Sequence, residues 1–187
     1  MPETERGSSM IRRFVLAAAL VAAAPAAAQT HQPDVIFVPT PQEVVEDMLR
    51  LAEVKKGDVL YDLGSGDGRI AITAAKKYGV RAVGIDIDPE RVWEAQQNAR
   101  GADVARLVEF RLEDLFQANF REATVVTLYL LPELNLKLRP RLWAELKPGT
   151  RIVSHQFDMG DWKPEKKLET NGRVIYFWTI PDPSKRR

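Results

Sequence analysis

The 187-residue chain has no cysteine and only two histidines, His31 and His155. These absences exclude disulfides, thiol catalysis and zinc knuckles, and they leave no histidine-rich metal site. A membrane-spanning apolar run of ~20 residues is also missing; the longest candidate, Phe14–Ala24, is shorter. Single-sign charge is missing too. Once residues 1–28 are set aside, basic and acidic residues are equal in number, so no bulk attraction to nucleic acid or to an anionic membrane is expected. Internal repeats and low-complexity linkers are absent. What remains is one domain's worth of chain with ordinary hydrophobic content, 45%, enough to bury a core.

The first 28 residues differ from the rest. Met10-Ile-Arg-Arg precedes the apolar run, and Pro25 and Ala26-Ala27-Ala28 follow it. A basic start, a short apolar stretch and an Ala-x-Ala site describe a secretory signal peptide or N-terminal anchor over 1–28. Export to the periplasm or medium, or anchoring, is therefore expected. The alternative is a cytoplasmic protein that keeps its alanine-rich segment. The acidic stretch Met1–Ser9 suits a signal poorly, which makes Met10 an alternative start.

Residues 29–56 read as an extended lead-in and a helix over about 41–54, with Thr40 as N-cap and Pro41 in the first turn. Val44, Val45, Met48, Leu49 and Ala52 recur at helical spacing. From 57 to 181 strands and helices alternate. Strands are expected at 59–63, 80–87, 107–112, 123–130, 151–157, about 166–169 and 173–180. Helices are expected at 69–78, 89–100 and 132–146, with a short helical segment near 115–119. Such alternation predicts an α/β fold, a mostly parallel Rossmann-like sheet covered on both faces. The Asn171-Gly172 turn predicts a closing hairpin and hence an antiparallel edge. Residues 182–187 form a short basic tail.

The most informative segment is 59–69, Val-Leu-Tyr-Asp-Leu-Gly-Ser-Gly-Asp-Gly-Arg. An apolar strand ends near Asp62, and Gly64, Gly66 and Gly68 bring the backbone close to a ligand before a helix begins. Ser65 lies between the first two glycines. A dinucleotide fingerprint would place its third glycine one residue later. Asp62 at the strand end would also repel a pyrophosphate, whereas S-adenosylmethionine (SAM) carries a sulfonium and an ammonium that an acidic mouth favours. Asp86 ends the next strand and can accept hydrogen bonds from both ribose hydroxyls. Asp88 caps the helix at Pro89. Asp114, ending the third strand, is placed either to accept from an adenine amino group or to cap a turn. Ile87 and Leu115 are placed to sandwich the ring. SAM is the expected cofactor, and no metal is expected.

With these motifs in place, the chain resembles the class I SAM-dependent methyltransferases. More narrowly it is similar to the lysine methyltransferases that modify the c subunit of ATP synthase and their bacterial relatives. The likeness rests on Phe37-Val-Pro-Thr-Pro, Val59–Arg69, Val83–Pro89, Thr124-Val-Val-Thr-Leu-Tyr-Leu-Leu-Pro and Leu146-Lys-Pro-Gly-Thr-Arg-Ile-Val-Ser-His. It implies a seven-stranded sheet with the last strand antiparallel, and a distant likeness to Dot1-type histone lysine methyltransferases with a lead-in closing over the cofactor. Thr40 and Glu43 would then lie near the methionine end of SAM, and Tyr129 beside the transferred methyl.

Three residues are candidates for the chemistry. Tyr129 is either a wall facing an acceptor amine or a packed strand tyrosine. Glu133, with Asn135, either orients an amine or is an ordinary first-turn carboxylate. His155 ends the fifth strand and is either a proton relay or a histidine satisfied by the backbone. Asp158, Asp161 and Trp162 either line an acceptor entrance or form a plain turn. The expected acceptor is a lysine-bearing protein or a small molecule, not a nucleic acid, with membrane contact only through the N-terminal segment. A non-catalytic binding module is the alternative from another class.

Overall fold

The computed structural model describes residues 37–185. The expectations for a signal or anchor at 1–28, for residues 29–36 of the lead-in and for the end of the basic tail lie outside the described residues. The elements are α1 (Gln42–Leu51), β1 (Val59–Leu63), α2 (Arg69–Tyr78), β2 (Arg81–Asp86), α3 (Pro89–Gly101), β3 (Val108–Leu112), β4 (Val125–Leu128), α4 (Pro132–Glu145), β5 (Arg151–His155), β6 (Lys166–Thr170) and β7 (Arg173–Thr179), followed by a 3-10 turn at Pro183–Lys185.

They build one seven-stranded sheet in the order β3-β2-β1-β4-β5-β7-β6. Strands β1 to β5 run parallel to one another, and β7 pairs antiparallel with both β5 and β6. The antiparallel pairing thus falls at one end of the sheet, where the Asn-Gly turn places it. The order reverses beside β1: the chain first steps outward through β2 and β3, then returns to add β4 on the other side. Ligands bind outside the C-terminal strand ends at such a reversal.

Alternation along each strand divides the core between the two faces. Leu60, Ala82, Val125 and Val153 pack beneath α1, α2 and α3. Tyr61, Val83, Val126 and Ile152 pack with Leu138 and Leu142 of α4 and with Phe120 and Trp178. Every residue of β4 is buried, as a central parallel strand requires.

Two local expectations are corrected. Thr40 does not cap α1. Pro41 holds the cap position without a side-chain hydrogen bond, because the Thr40 hydroxyl is engaged by His155, 115 residues away, at 3.1 Å. Residues 115–117 form a turn rather than a short helix. Asp114 closes it, its carboxylate accepting from Phe116 N at 2.8 Å and its carbonyl from Gln117 N and Ala118 N. Asp88 does cap α3, accepting from Glu90 N at 2.8 Å with Pro89 next in line.

Candidate active site at the C-terminal strand ends

A cavity, partly open to solvent, lies over the ends of β1, β2, β3 and β4. Thr40, Asp62, Gly64, Ser65, Asp86, Ile87, Asp114, Leu115 and Tyr129 all line it. The structure therefore brings together nine of the residues singled out in the sequence. It leaves four others off the wall. Gly66 and Gly68 shape the loop rather than face the cavity, Glu133 is exposed on the first turn of α4, and His155 is wholly buried behind Thr40 and Tyr129.

The glycine loop is built by positive φ. Gly66 has φ +52° and Gly68 φ +80°, a region side chains avoid. A Cβ on Gly68 would sit 2.4 Å from Phe110 Cζ, and one on Gly66 would sit 2.2 Å from Phe37 Cε2. Gly68 therefore lets the loop settle onto the core, while Gly66 lets a strap formed by residues 37–40 settle onto the loop. Gly66 N donates to Asp86 Oδ2 at 2.7 Å, and Asp88 N donates to Oδ1 at 3.0 Å. Each carboxylate oxygen keeps a further lone pair for a ligand hydroxyl.

Asp62 is the electrostatic centre. Register places it opposite Thr127 of β4, whose hydroxyl donates to Oδ1 at 2.7 Å. Oδ2 is buried with no partner in the protein. Burial, with Asp86 and Asp67 adding like charge against the Thr127 hydrogen bond, pushes this carboxyl up to about 7. Six carboxylates line the cavity (Asp62, Asp67, Asp86, Asp88, Glu113 and Asp114) against two guanidiniums, Arg69 and Arg91. A cation is the ligand such a wall favours.

The strap is tied at several points. Arg69, paired with Asp67, donates to the Thr40 carbonyl at 2.9 Å. The Arg91 guanidinium lies over the Phe37 ring, 5.2 Å from its centre. His155 Nδ1 meets the Thr40 hydroxyl, and the Tyr129 ring rests 4.0 Å from the imidazole and 6.2 Å from Phe157. Burial, with the charge of Arg173 adding to it, holds the imidazole down to about 4. Asn135, fully buried on α4, donates to the Phe157 and Asp158 carbonyls and fixes the turn after β5. Asp161 is tied to Arg139, and Trp162 packs between Trp143 and Trp178; neither lines the cavity.

Thr127, Arg69, Asp67 and Phe37 also contribute to the site, beyond the residues expected from the sequence. Thr127 carried a readable signal, a polar residue inside a strand otherwise apolar. The contacts of Arg69 with the Thr40 carbonyl and of Phe37 with Arg91 were not readable, since those partners come from remote segments.

A reversed parallel sheet, a glycine loop after β1 and acids ending three successive strands define a class I SAM-dependent methyltransferase. The chain belongs to the family of the ANTKMT methyltransferase domain, whose model matches residues 62–166. It is 42% identical to a protein-lysine N-methyltransferase of Saccharolobus islandicus, an alignment covering 81% of this chain and 97% of that one. It is 35% identical to a lysine N-methyltransferase of Mus musculus named for the c subunit of ATP synthase, over 69% of this chain and 51% of the relative. Among solved structures, a Salinibacter ruber RNA methyltransferase in complex with S-adenosyl-L-homocysteine matches with a TM-score of 0.77 and 60% identity, over 78% of this chain and 95% of that one.

Proposed function

We propose that the chain transfers a methyl group from SAM to the side-chain nitrogen of a protein lysine. The observation that carries this reading is the partnerless, buried Asp62 Oδ2 in an acid-lined cavity. An ammonium supplies the charge and the donor that atom lacks. The residues present therefore fit SAM: Asp62 would hold its ammonium, Asp86 its ribose hydroxyls and Asp114 its adenine amino group, with Ile87 and Leu115 against the ring.

When bound, SAM supplies a methyl group on a cationic sulfonium. The protein's part is to align an acceptor and exclude water. The strap of residues 37–40 forms one side of the cavity and would shield that side from water. A lysine must arrive uncharged, because an ammonium has no lone pair, and a desolvated approach lowers its pKa. Tyr129, on the wall, flanks that approach. Glu133 is too exposed for this work, and His155 is off the wall.

The lysine-directed names of the Saccharolobus and mouse relatives support the acceptor. The Salinibacter structure, named as an RNA methyltransferase, supports a second reading. The carboxylate-rich wall and balanced charge weigh against a phosphate-bearing acceptor. The test is a lysate of the source cells treated with methyl-labelled SAM and the protein. Label destroyed by protease and recovered as methyl-lysine supports the proposal. Label released by ribonuclease instead would replace it with the RNA reading.

A further inference from the structure

We infer that His155 is a positioning residue which, as an uncharged imidazole protonated at Nδ1, fixes Thr40 so that the Thr40 hydroxyl proton is offered to an acceptor inside the cavity. The inference rests on the reading of that cavity as the SAM site. His155 is fully buried at the end of β5, and Thr40 is 4% exposed. They meet through Nδ1 and Oγ1 at 3.1 Å. The other ring nitrogen, Nε2, is buried and has no partner.

That asymmetry selects one state of the ring. A buried N–H without an acceptor costs more than a buried lone pair without a donor. An imidazolium carries two N–H groups, and a proton on Nε2 would be stranded in either charged or neutral form. The neutral ring therefore holds its proton on Nδ1, donates it to Thr40 Oγ1, and leaves the Thr40 O–H to turn elsewhere. The charged group acting on the ring is Arg173, which also opposes protonation, and the Tyr129 ring lies against it.

Thr40 is held from its other side as well, since its carbonyl accepts from Arg69 at 2.9 Å. With its hydroxyl oxygen occupied by His155 and its carbonyl by Arg69, the residue lines the cavity as a fixed donor. SAM presents one anionic acceptor, the carboxylate of its methionine portion. Asp62 would then take the ammonium and Thr40 the carboxylate of the same moiety, which reads both charges of an amino acid head.

The experiment uses the full chain with Thr40→Val, His155→Leu and His155→Asn. Calorimetry measures binding of SAM and of decarboxylated SAM, and hydrogen exchange follows the Val38 and Thr40 amides without cofactor. T40V and H155L are each expected to weaken SAM binding roughly tenfold. Their combination should be no weaker than either alone, because both remove one linked contact. H155N keeps an N–H near the Nδ1 position and should restore most of the affinity. Decarboxylated SAM should bind all variants equally, and H155L should exchange faster at Thr40. At saturating SAM, the pH profile of kcat should show no limb belonging to His155 near 6.5.

Additive losses, an H155N as impaired as H155L, or a limb near 6.5 that disappears in H155N would overturn the inference; the last would make His155 an acid or base. Unchanged SAM affinity in T40V overturns it even if H155L does not fold. Absence of SAM binding by the wild-type chain would overturn the site reading first and this inference with it.

Discussion

Asp62 shows at the scale of one residue how the site trades stability for binding. Its native carboxyl titrates near 7, above the ~3.9 of an unfolded aspartate. Between those values the native chain holds a proton that the unfolded chain has released. Its contribution to stability is therefore full below about pH 4 and lost as pH rises through 7. The cofactor-free Asp62→Asn variant should melt above wild type at pH 8, the gap closing towards pH 4, while its SAM affinity falls roughly tenfold to a hundredfold. Thermal unfolding and calorimetry read the two effects separately, and a variant that melts lower at pH 8 would refute the assignment. This residue was legible in the sequence because a strand-end acid before a glycine loop has few structural uses. The pairing of Asp62 with Thr127 and the burial of His155 were not legible, since both depend on which strands become neighbours.

Among the elements, the glycine loop and the strap divide the work. Gly68→Ala forces a side chain into positive φ and against the buried Phe110. It should cost about 2–4 kcal/mol in denaturant unfolding. The atoms nearest a side chain at Gly66 belong to the Phe37 ring, which is 38% exposed and able to swing away. The positive φ is left as the main cost of Gly66→Ala. That substitution should leave the melting temperature within a few degrees and weaken SAM binding by loosening the strap. A second clip ties α1 to the sheet. Arg151 donates to the Ala52 and Glu53 carbonyls at 2.8 Å and pairs with buried Asp58, which also accepts from the Thr124 hydroxyl. Arg151→Met strands that carboxylate, and a loss of about 3–5 kcal/mol is expected, with SAM affinity of the folded protein unchanged. Helix α2 and strand β1 match their expected bounds because glycines and apolar runs punctuate them sharply. The segment near 115–119 misled because Asp114 offers a turn the same hydrogen bonds that start a helix.

Across the whole molecule, the strand order explains why acids distant in sequence share one cavity. Asp62, Asp86 and Asp114 lie at or just beyond the ends of β1, β2 and β3, adjacent in the sheet. Alternating strands and helices were enough to anticipate that layout, since parallel neighbours joined by helices all end on one side. The lead-in was harder to read. Its docking depends on Arg69, Arg91 and His155, three residues from three elements that only the folded sheet brings near. Among the described residues no helix is long and apolar enough to cross a membrane, and the acidic wall is the dominant charged feature of the site. The most direct test of the account is calorimetric titration of the full chain with SAM at pH 8, beside Asp86→Ala and Asp62→Asn. One-to-one binding in the micromolar range, weakened in both variants, is the expected result. No heat from a chain shown to be folded, or binding indifferent to both acids, would contradict it.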